Sequence, residues 1–524
     1  IAYLMINDRM KKYLFEIFLL IFSIGLPFAL DTALPVYGML STFLLFLVLR
    51  RLWYWLFFAV FGFVLITSVL FLPQTLWFGH PPATMIGAFF ETDLQESKEF
   101  VQSLPWYAYG TSIITFLFGI YILYLGKKKQ YTPSVKYHLY TFIFALIGIG
   151  TALYKPIKTV CEGGNFSLVD SRTSIITFYA SINANLQEYW QLKKELEQGI
   201  EGTPSWQIEN VHPEYKDYVL VIGESVRRDY MHAYGFPLQN TPFMENVKGT
   251  VIEGFTATAP NTTPSLLRTF VVNKGTQMDY ANNLITLANI AGFETYWLSN
   301  QGYVGQYDTP ITKIASLSKY ITFTKKGYSS SMNYHDTVLL PVLDKLLQEK
   351  SDKPRLFVLH LLGSHTLFEA RLEAPIHFDY YNRKISAYVQ TIEQTDKLLS
   401  GIYKTLRTNS QKFSMIYFAD HGLMTQDRTS AFASLTHGDT HPNKACYRVP
   451  FVLINSNDTE HKHLKVNKSA FNFLKGYAHW LGIKEQSLNN NYSFLSPTPD
   501  SLQVFNHYEN VPFESLEEDD ILKP

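Results

Sequence analysis

Five long apolar stretches fill the first third of the chain, and nothing else in the sequence restricts its fold so tightly. They run at about Tyr13–Leu30, Leu34–Leu49, Leu52–Leu72, Trp106–Leu125 and Tyr137–Tyr154. Each comes close to the roughly 17–25 residues that a helix needs to cross a bilayer core. Lipid offers no water to satisfy a free peptide group, so such stretches must be helical. The first is followed by further spans and lacks a small-residue cleavage site, so it reads as a span and not as a removed signal peptide.

Basic residues set the orientation. Arg9, Lys11 and Lys12 precede the first span, Arg50 and Arg51 join the second to the third, and Lys127, Lys128, Lys129 and Lys136 join the fourth to the fifth. The remaining connections carry Asp31, then Glu91, Asp93, Glu96 and Glu99. This asymmetry predicts a cytoplasmic N-terminus and puts everything after about residue 155 on the far side. Glu16 is the one acidic residue within a span. It follows Lys12 by a turn, and a snorkelling ion pair at the interface is expected.

A chain of 524 residues should hold more than one domain. Three parts are expected: a five-span transmembrane domain over 1–155, a membrane-surface connector over 156–215, and a soluble domain over 216–524. The connector segment Thr173–Leu196 mixes Ile175, Ile176, Phe178, Tyr179, Tyr189 and Trp190 with Asn183, Lys193 and Lys194, as one or two interfacial helices would. Gly199, Gly202 and Pro204 then break the pattern. The 45 basic and 45 acidic residues balance, which leaves no nucleic-acid signature. Cys161 and Cys446 lie far apart without a CxxC, so free or buried thiols are expected.

After residue 216 the pattern alternates. Strand candidates are Tyr218–Ile222, Thr295–Leu298, Leu356–His360, Phe413–Ala419 and Val449–Ile454. Helix candidates are Leu284–Ala291, Thr337–Gln348, Tyr388–Leu406 and Ala470–Trp480, with Asp336 as a simple N-cap. This alternation predicts a doubly wound α/β domain. The polar and acidic tail after about Ile483 is expected to be irregular surface.

Ligands of such folds collect beyond the carboxyl ends of the strands. The first strand is followed by Glu224 and Ser225. In Ala259–Leu267, Pro264 falls in a first helical turn, so Thr262 and Thr263 lie at a helix N-terminus. An anion is favoured there by unpaired N–H groups and the helix dipole. A carboxylate facing that hydroxyl could serve a metal-activated nucleophile, although a strand-end Glu and a capping Thr is the plainer account of this stretch alone. The third strand runs into His360-Leu-Leu-Gly-Ser-His365, the fourth into Asp420 and His421, and His437 and His441 precede the fifth. Carboxylates and imidazoles on one sheet edge are the ligand set of zinc or a similar ion. Gly223-Glu-Ser-Val-Arg227 lacks the closing glycine of a nucleophile elbow. The His360–His365 spacing does not fit a zinc-protease helix.

The motifs Val-Ile-Gly-Glu224-Ser, Ala-Pro-Asn-Thr262-Thr-Pro, Trp-Leu-Ser-Asn300, His360-Leu-Leu-Gly-Ser-His365, Ala-Asp420-His421-Gly and Thr-His437-Gly occur in that order. Together with the five spans, they resemble the phosphoethanolamine transferases of the Gram-negative inner membrane, in the alkaline phosphatase/sulfatase superfamily. The resemblance implies a five-helix bundle followed by a periplasmic α/β catalytic domain. It implies one tightly bound zinc, with a second as an alternative, held by Glu224, Asp420, His421 and the nucleophile. That nucleophile would be Thr262, with Thr263 the neighbouring alternative. His365 and His437 would hold the donor phosphate or a second zinc, Asn300 would contact substrate, and His360 would support the fold. The donor would be phosphatidylethanolamine, the acceptor lipopolysaccharide at an inner-core sugar or at lipid A, and the enzyme a monomer among membrane lipids. A phosphoglycerol transferase, a membrane-tethered phosphodiesterase or sulfatase, and a non-enzymatic receptor are the other readings. Two departures stand out. Leu423 replaces the Glu of the usual Asp-His-Gly-Glu, and the nucleophile loop has no cysteine, which leans toward a core-sugar acceptor.

Overall fold

The computed structural model describes residues 2–32, 36–78, 101, 104, 106–131, 134–162, 166–274, 277–303, 310–326, 335–429, 433–438, 441–488 and 491–523. They fall into two compact units, one reaching Tyr189 and the other running from Trp190 onward. The expected start of the second span, Leu34, and the acidic connection at 91–99 lie outside the described residues.

The first unit contains α1 (Ala2–Ala29), α2 (Val36–Leu52), α3 (Tyr54–Phe78), α4 (Trp106–Lys128) and α5 (Val135–Cys161), and the start of α6 (Ser174–Ile200). By length and composition, Tyr54–Leu76, Trp106–Lys128 and Val135–Cys161 can each cross a membrane, and Tyr13–Ala29 is a shorter apolar helix. Phe22, Phe46, Phe57 and Phe61 interlock at the centre, while Phe63, Leu70, Ile114 and Leu117 face outward. This distribution suits a lipid solvent, in which apolar side chains have no reason to hide. Gly119 lets α4 approach α3 closely: a Cβ there would stand 2.3 Å from Leu65 Cδ1.

The side chain of Lys12, the expected partner of Glu16, lies outside the described residues, and Glu16 has other partners. Lys129 Nζ lies 2.7 Å from its carboxylate, and the Tyr131 hydroxyl donates to it at 3.2 Å. The partner comes from the connection after α4, because Arg50 fastens that connection by donating to the Gly126 carbonyl. The connector forms one helix, α6, and not two. In the first unit its Tyr179 shares a hydrogen bond with Thr67 and stacks on Phe63. In the second unit its Glu197 pairs with Lys313, and Gly199 passes so close to Tyr280 that a Cβ would clash.

The second unit is built on a sheet of eight strands. They are β1 (Asp217–Gly223), β2 (Gly249–Thr256), β3 (Glu294–Tyr303), β4 (Tyr320–Lys326), β5 (Arg355–His360), β6 (Phe413–Ala419), β7 (Phe451–Asn455) and β8 (His461–Ser469). Their spatial order is β8-β2-β7-β6-β1-β5-β3-β4. Strands β1, β5 and β6 are buried from end to end, as unbroken apolar runs in a parallel sheet require. Val219 sits opposite both Phe357 and Met415. Helices α7 (Thr262–Phe270), α8 (Leu284–Ile290), α9 (Leu339–Gln348), α10 (Arg383–Asn409) and α11 (Phe473–Trp480) complete the α/β domain.

Two expectations are corrected. Strand β7 runs antiparallel to both neighbours, with Phe451 opposite Phe418 and Asn455 opposite Ser414. Its beginning therefore shares an edge with the ends of β6 and β1. Strands β2, β4 and β8 also lie outside the expected set. The sequences of β4 and β8 are polar, as edge strands tend to be. The C-terminal tail, expected at the surface, instead buries Val504, Phe513, Asp519 and Leu522.

At the opposite edge of the sheet, Arg355 Nε donates to Asp217 Oδ1 at 2.6 Å, with both side chains buried. Arg355 also donates to the carbonyls of Leu346 and Glu349, closing the end of α9. Removing one partner of a buried pair leaves an uncompensated charge. Asp217→Ala should therefore destabilise this unit by about 3–5 kcal/mol, read as a lower urea midpoint of Trp fluorescence in the detergent-solubilised chain.

Candidate metal and nucleophile site

Strand β1 ends at Gly223, where a Cβ would lie 2.8 Å from the Tyr417 ring, and the chain turns sharply into Glu224 and Ser225. Ser225 adopts φ 61°, a left-handed conformation that costs a non-glycine residue on the order of 1–3 kcal/mol. The strained turn aims the Ser225 amide at Asp420 Oδ1, at 3.0 Å. The Ser225 hydroxyl donates to Glu224 Oε1 at 2.6 Å. Strand β6 delivers Asp420 and His421, whose own amide donates to Asp420 Oδ1 at 2.7 Å. One Asp420 oxygen is thus held by two amides. The other, Oδ2, is buried with no hydrogen-bond partner.

His421 explains what that oxygen faces. Its Nδ1 lies 2.7 Å from the Gly422 carbonyl, which can only accept, so Nδ1 carries a proton. Nε2 then looks toward Glu224 Oε1 at 3.3 Å, Asp420 Oδ2 at 3.5 Å and Thr262 Oγ1 at 3.3 Å. A neutral imidazole would aim a lone pair at three oxygens. Only a proton or a cation relieves that arrangement. The acid–base properties express the same tension. Burial and the Glu224 charge push the Asp420 carboxyl up to about 8. His421 is pushed up to about 9, because Asp420 and Glu224 outweigh the opposing effect of burial. Burial opposes ionisation of Glu224 as well, yet His421 holds its carboxyl far below the ordinary range.

Helix α7 brings the hydroxyl. Thr262 is its first residue, after the N-cap Asn261, and Pro264 costs nothing in a turn whose amides have no helical partner. Thr262 Oγ1 donates to Glu224 Oε2 at 3.0 Å. The helix is pinned to the same group, since the Ser265 hydroxyl donates to the Asp420 carbonyl at 2.6 Å.

His437 joins from the far side. It follows a hairpin of Met424–Gln426 and Ser434–Thr436 and precedes the reversed strand β7, which explains its presence at this edge. Donor atoms of Glu224, His421 and His437 lie within 4.8 Å of one another. The His437 ring is centred 5.0 Å from His421 and 6.1 Å from His365. His441, also at this edge in sequence, is exposed and outside that group. Burial pushes His365 down to about 3, so it is a neutral imidazole, and its Nδ1 is buried without a partner.

Asn300 and Asp336 take roles the sequence does not suggest. Asn300 is fully buried. It donates to Asp336 Oδ1 at 2.8 Å and accepts from Thr324. These contacts fix its position toward the end of β3. Asp336 makes no side-chain cap to α9. Its two oxygens accept from the amides of Leu362 and Gly363, both at 2.8 Å. They hold the His360–His365 loop over Glu224, where a Cβ on Gly363 would sit 3.0 Å from the Glu224 amide. His360 is buried edge-on to Trp297 and is pushed down to about 4 by burial, a fold-supporting position. Leu423 belongs to the apolar core. The supporting roles of Ser225, Ser265 and Asp336 carry no sequence signal of their own, and the folded chain identifies them.

Residues 216–483 match the sulfatase family. The chain is similar to the phosphoethanolamine transferase OpgE of Escherichia coli, with 31% identity over 432 residues that cover 82% of this chain and 81% of that one. Among solved structures, it is similar to the integral membrane lipooligosaccharide phosphoethanolamine transferase A (EptA) of Neisseria meningitidis, with TM-score 0.56 and 17% identity over 86% of this chain and 89% of that one. The zinc complex of the C-terminal periplasmic domain of EptC from Escherichia coli covers 60% of this chain and 98% of its own, with TM-score 0.52 and 19% identity.

A buried orphan carboxylate oxygen, a second carboxylate and an imidazole with its outer nitrogen already bonded form a donor set that fits zinc. Glu224→Ala, Asp420→Ala and His421→Ala should each lower the zinc content of the purified full-length chain well below one ion, measured by elemental analysis. Wild-type stoichiometry in Asp420→Ala would refute the ligand set.

Proposed function

This chain belongs to the phosphoethanolamine transferases of the sulfatase family, and we propose that it moves phosphoethanolamine from phosphatidylethanolamine to lipopolysaccharide through a phospho-Thr262 intermediate. The observation that carries this reading is the Thr262 hydroxyl, 3.0 Å from Glu224 and 3.3 Å from His421 at a helix N-terminus. Both of the substrates we propose are lipids, which accounts for a catalytic unit that comes with apolar helices.

Zinc held by Glu224, Asp420, His421 and Thr262, with His437 or His365 beside them, would supply concentrated positive charge to the hydroxyl and to phosphoryl oxygens. The rest falls to the protein. The hydrogen bond to Glu224 Oε2 fixes the Thr262 rotamer and points an oxygen lone pair away from the carboxylate. That oxygen attacks phosphorus, the bond from phosphorus to the diacylglycerol oxygen breaks, and diacylglycerol departs with the threonine proton. The start of α7 favours the negatively charged phosphodiester formed on Thr262, whose single anionic charge sits on the phosphoryl oxygens. His365 and His437, on the opposite side of the cluster, hydrogen-bond the phosphoryl oxygens. In the second half-reaction an acceptor hydroxyl attacks the same phosphorus, and Thr262 regains its proton. The absence of cysteine around Thr262 and the replacement by Leu423 favour an inner-core sugar over lipid A. The positive-inside rule puts this unit in the periplasm, where both lipids are accessible.

Thr262→Ala should abolish transfer, and Thr262→Ser should retain part of it. A threonine that only capped the helix would cost about 0.5–2 kcal/mol of stability and leave the chemistry intact in the folded fraction. Incubation with headgroup-labelled phosphatidylethanolamine should leave one phosphoethanolamine on Ala259–Arg268 by mass spectrometry. Label on Thr263 would move the nucleophile by one residue. No adduct, with both Thr→Ala variants active, would refute the mechanism. Mass spectrometry of lipopolysaccharide and of soluble periplasmic glycans, from cells with and without the gene, tests the acceptor.

A further inference from the structure

We infer that the C-terminal tail is a brace for the metal group, and that Asp519 is its positioning residue. This rests on the reading above of Glu224, His421 and His437 as ligand carriers.

Those residues arrive on three separate segments: the turn after β1, the segment after β6, and the hairpin before β7. The tail reaches all three. Asp519 is buried although it lies in the acidic stretch Glu517–Asp520. Its Oδ2 accepts from Arg227 Nη1 at 2.9 Å and from the Thr425 amide at 2.7 Å, and its Oδ1 accepts from Arg428. Its carbonyl accepts from Arg227 Nη2 at 2.8 Å. Arg227 is fully buried and leads back to the turn. Its amide donates to the Tyr388 hydroxyl, and that hydroxyl donates to the Ser225 carbonyl, next to Glu224. Thr425 and Arg428 belong to the hairpin that ends at His437. One carboxylate therefore links the segment carrying Glu224 to the segment carrying His437.

The third segment is held by the residues just before it on the tail. Glu514 and Glu518 pair with Lys444, and Glu518 also takes both guanidinium nitrogens of Arg448. The Lys444 amide donates to the Glu517 carbonyl. The stretch they fix packs under His421: the Gly422 amide donates to the Cys446 carbonyl at 2.7 Å, and a Cβ on Gly422 would meet the Ala445 carbonyl at 2.2 Å. Leu522 anchors the end, bonding the hydroxyls of Tyr230 and Tyr380. A tail that only covered apolar surface would not need a buried carboxylate with three donors. Ligand carriers on independent loops do need a common reference, because errors in their relative position weaken a metal site directly.

The test uses the detergent-solubilised full-length chain. Asp519→Asn should weaken zinc binding at least about tenfold in chelator competition. It should change the visible absorption of the cobalt-substituted protein, and lower kcat with little change in KM for phosphatidylethanolamine. Asp520→Asn, an exposed neighbour on the same tail, should leave all three unchanged. If Asp519→Asn fails to fold, Arg428→Gln removes the side-chain half of the hairpin arm, leaving the Thr425 amide and Arg227 in place, and should shift zinc affinity and the cobalt spectrum in the same direction. Wild-type zinc affinity and an unchanged cobalt spectrum in Asp519→Asn, or in Arg428→Gln where the first does not fold, overturn the brace. Wild-type protein that binds no zinc overturns instead the metal reading on which it rests.

Discussion

Two carboxylates and an imidazole have been taken out of water, with His421 Nε2 3.3 Å from Glu224 and 3.5 Å from Asp420, and the second unit is arranged to make that tolerable. Bringing like charges together in a low-dielectric site costs several kcal/mol per ion unless partners are supplied. The chain supplies them from rigid places. Two backbone amides hold one Asp420 oxygen, a strained serine holds Glu224, and a carbonyl fixes the His421 proton on Nδ1. Asp420 Oδ2 stays buried without a hydrogen-bond partner, 3.5 Å from His421 Nε2, and His365 Nδ1 is likewise unmet. That residual imbalance supports the proposed function, because a cation would relieve it and the Thr262 hydroxyl lies beside it.

The parts legible in the sequence are those with a local physical signature. Apolar runs of bilayer length announced the helices of the first unit, and uninterrupted apolar strands announced β1, β5 and β6. Because those strands are parallel and central, residues just past their ends could be assembled on one edge without coordinates. Thr262 was legible through Pro264, which marks a first helical turn. The family then recognised in those motifs is borne out by the comparisons.

What the sequence concealed was set by tertiary context. The direction of β7 leaves no trace in Val449–Ile454, since an antiparallel strand between buried neighbours is as apolar as a parallel one. Strands β4 and β8 read as loops because they are edges. Asp336 looked like a helix cap because a carboxylate before an apolar helix usually is one, yet its acceptors were claimed by the amides of Leu362 and Gly363. The partners of Asn300, Asp336 and Thr324, lie tens of residues away and were equally hidden. The acidic tail read as solvated surface, and only the fold reveals that Asp519 joins Asp229 in pairing the buried Arg227.

The tail and the reversed strand solve one geometric problem. A purely parallel sheet would bring each ligand segment to the edge from beneath, with every loop free to move independently. Reversing β7 makes the chain enter the sheet at the ligand edge, so the hairpin that carries His437 is tied at one end by β6 and at the other by β7. A tied hairpin still pivots about its two attachments. The third point of support comes from Asp519, and three points fix a rigid body against rotation. Electrostatics then acts in the same direction as geometry, because Arg227 and Arg428 are opposed by the acidic tail and the positive charge they bring near the site is neutralised behind it. In the proposed reaction the negative charge of Glu224 and Asp420 would face the cation, and the phosphoryl group would meet the start of α7 and the imidazoles of His365 and His437.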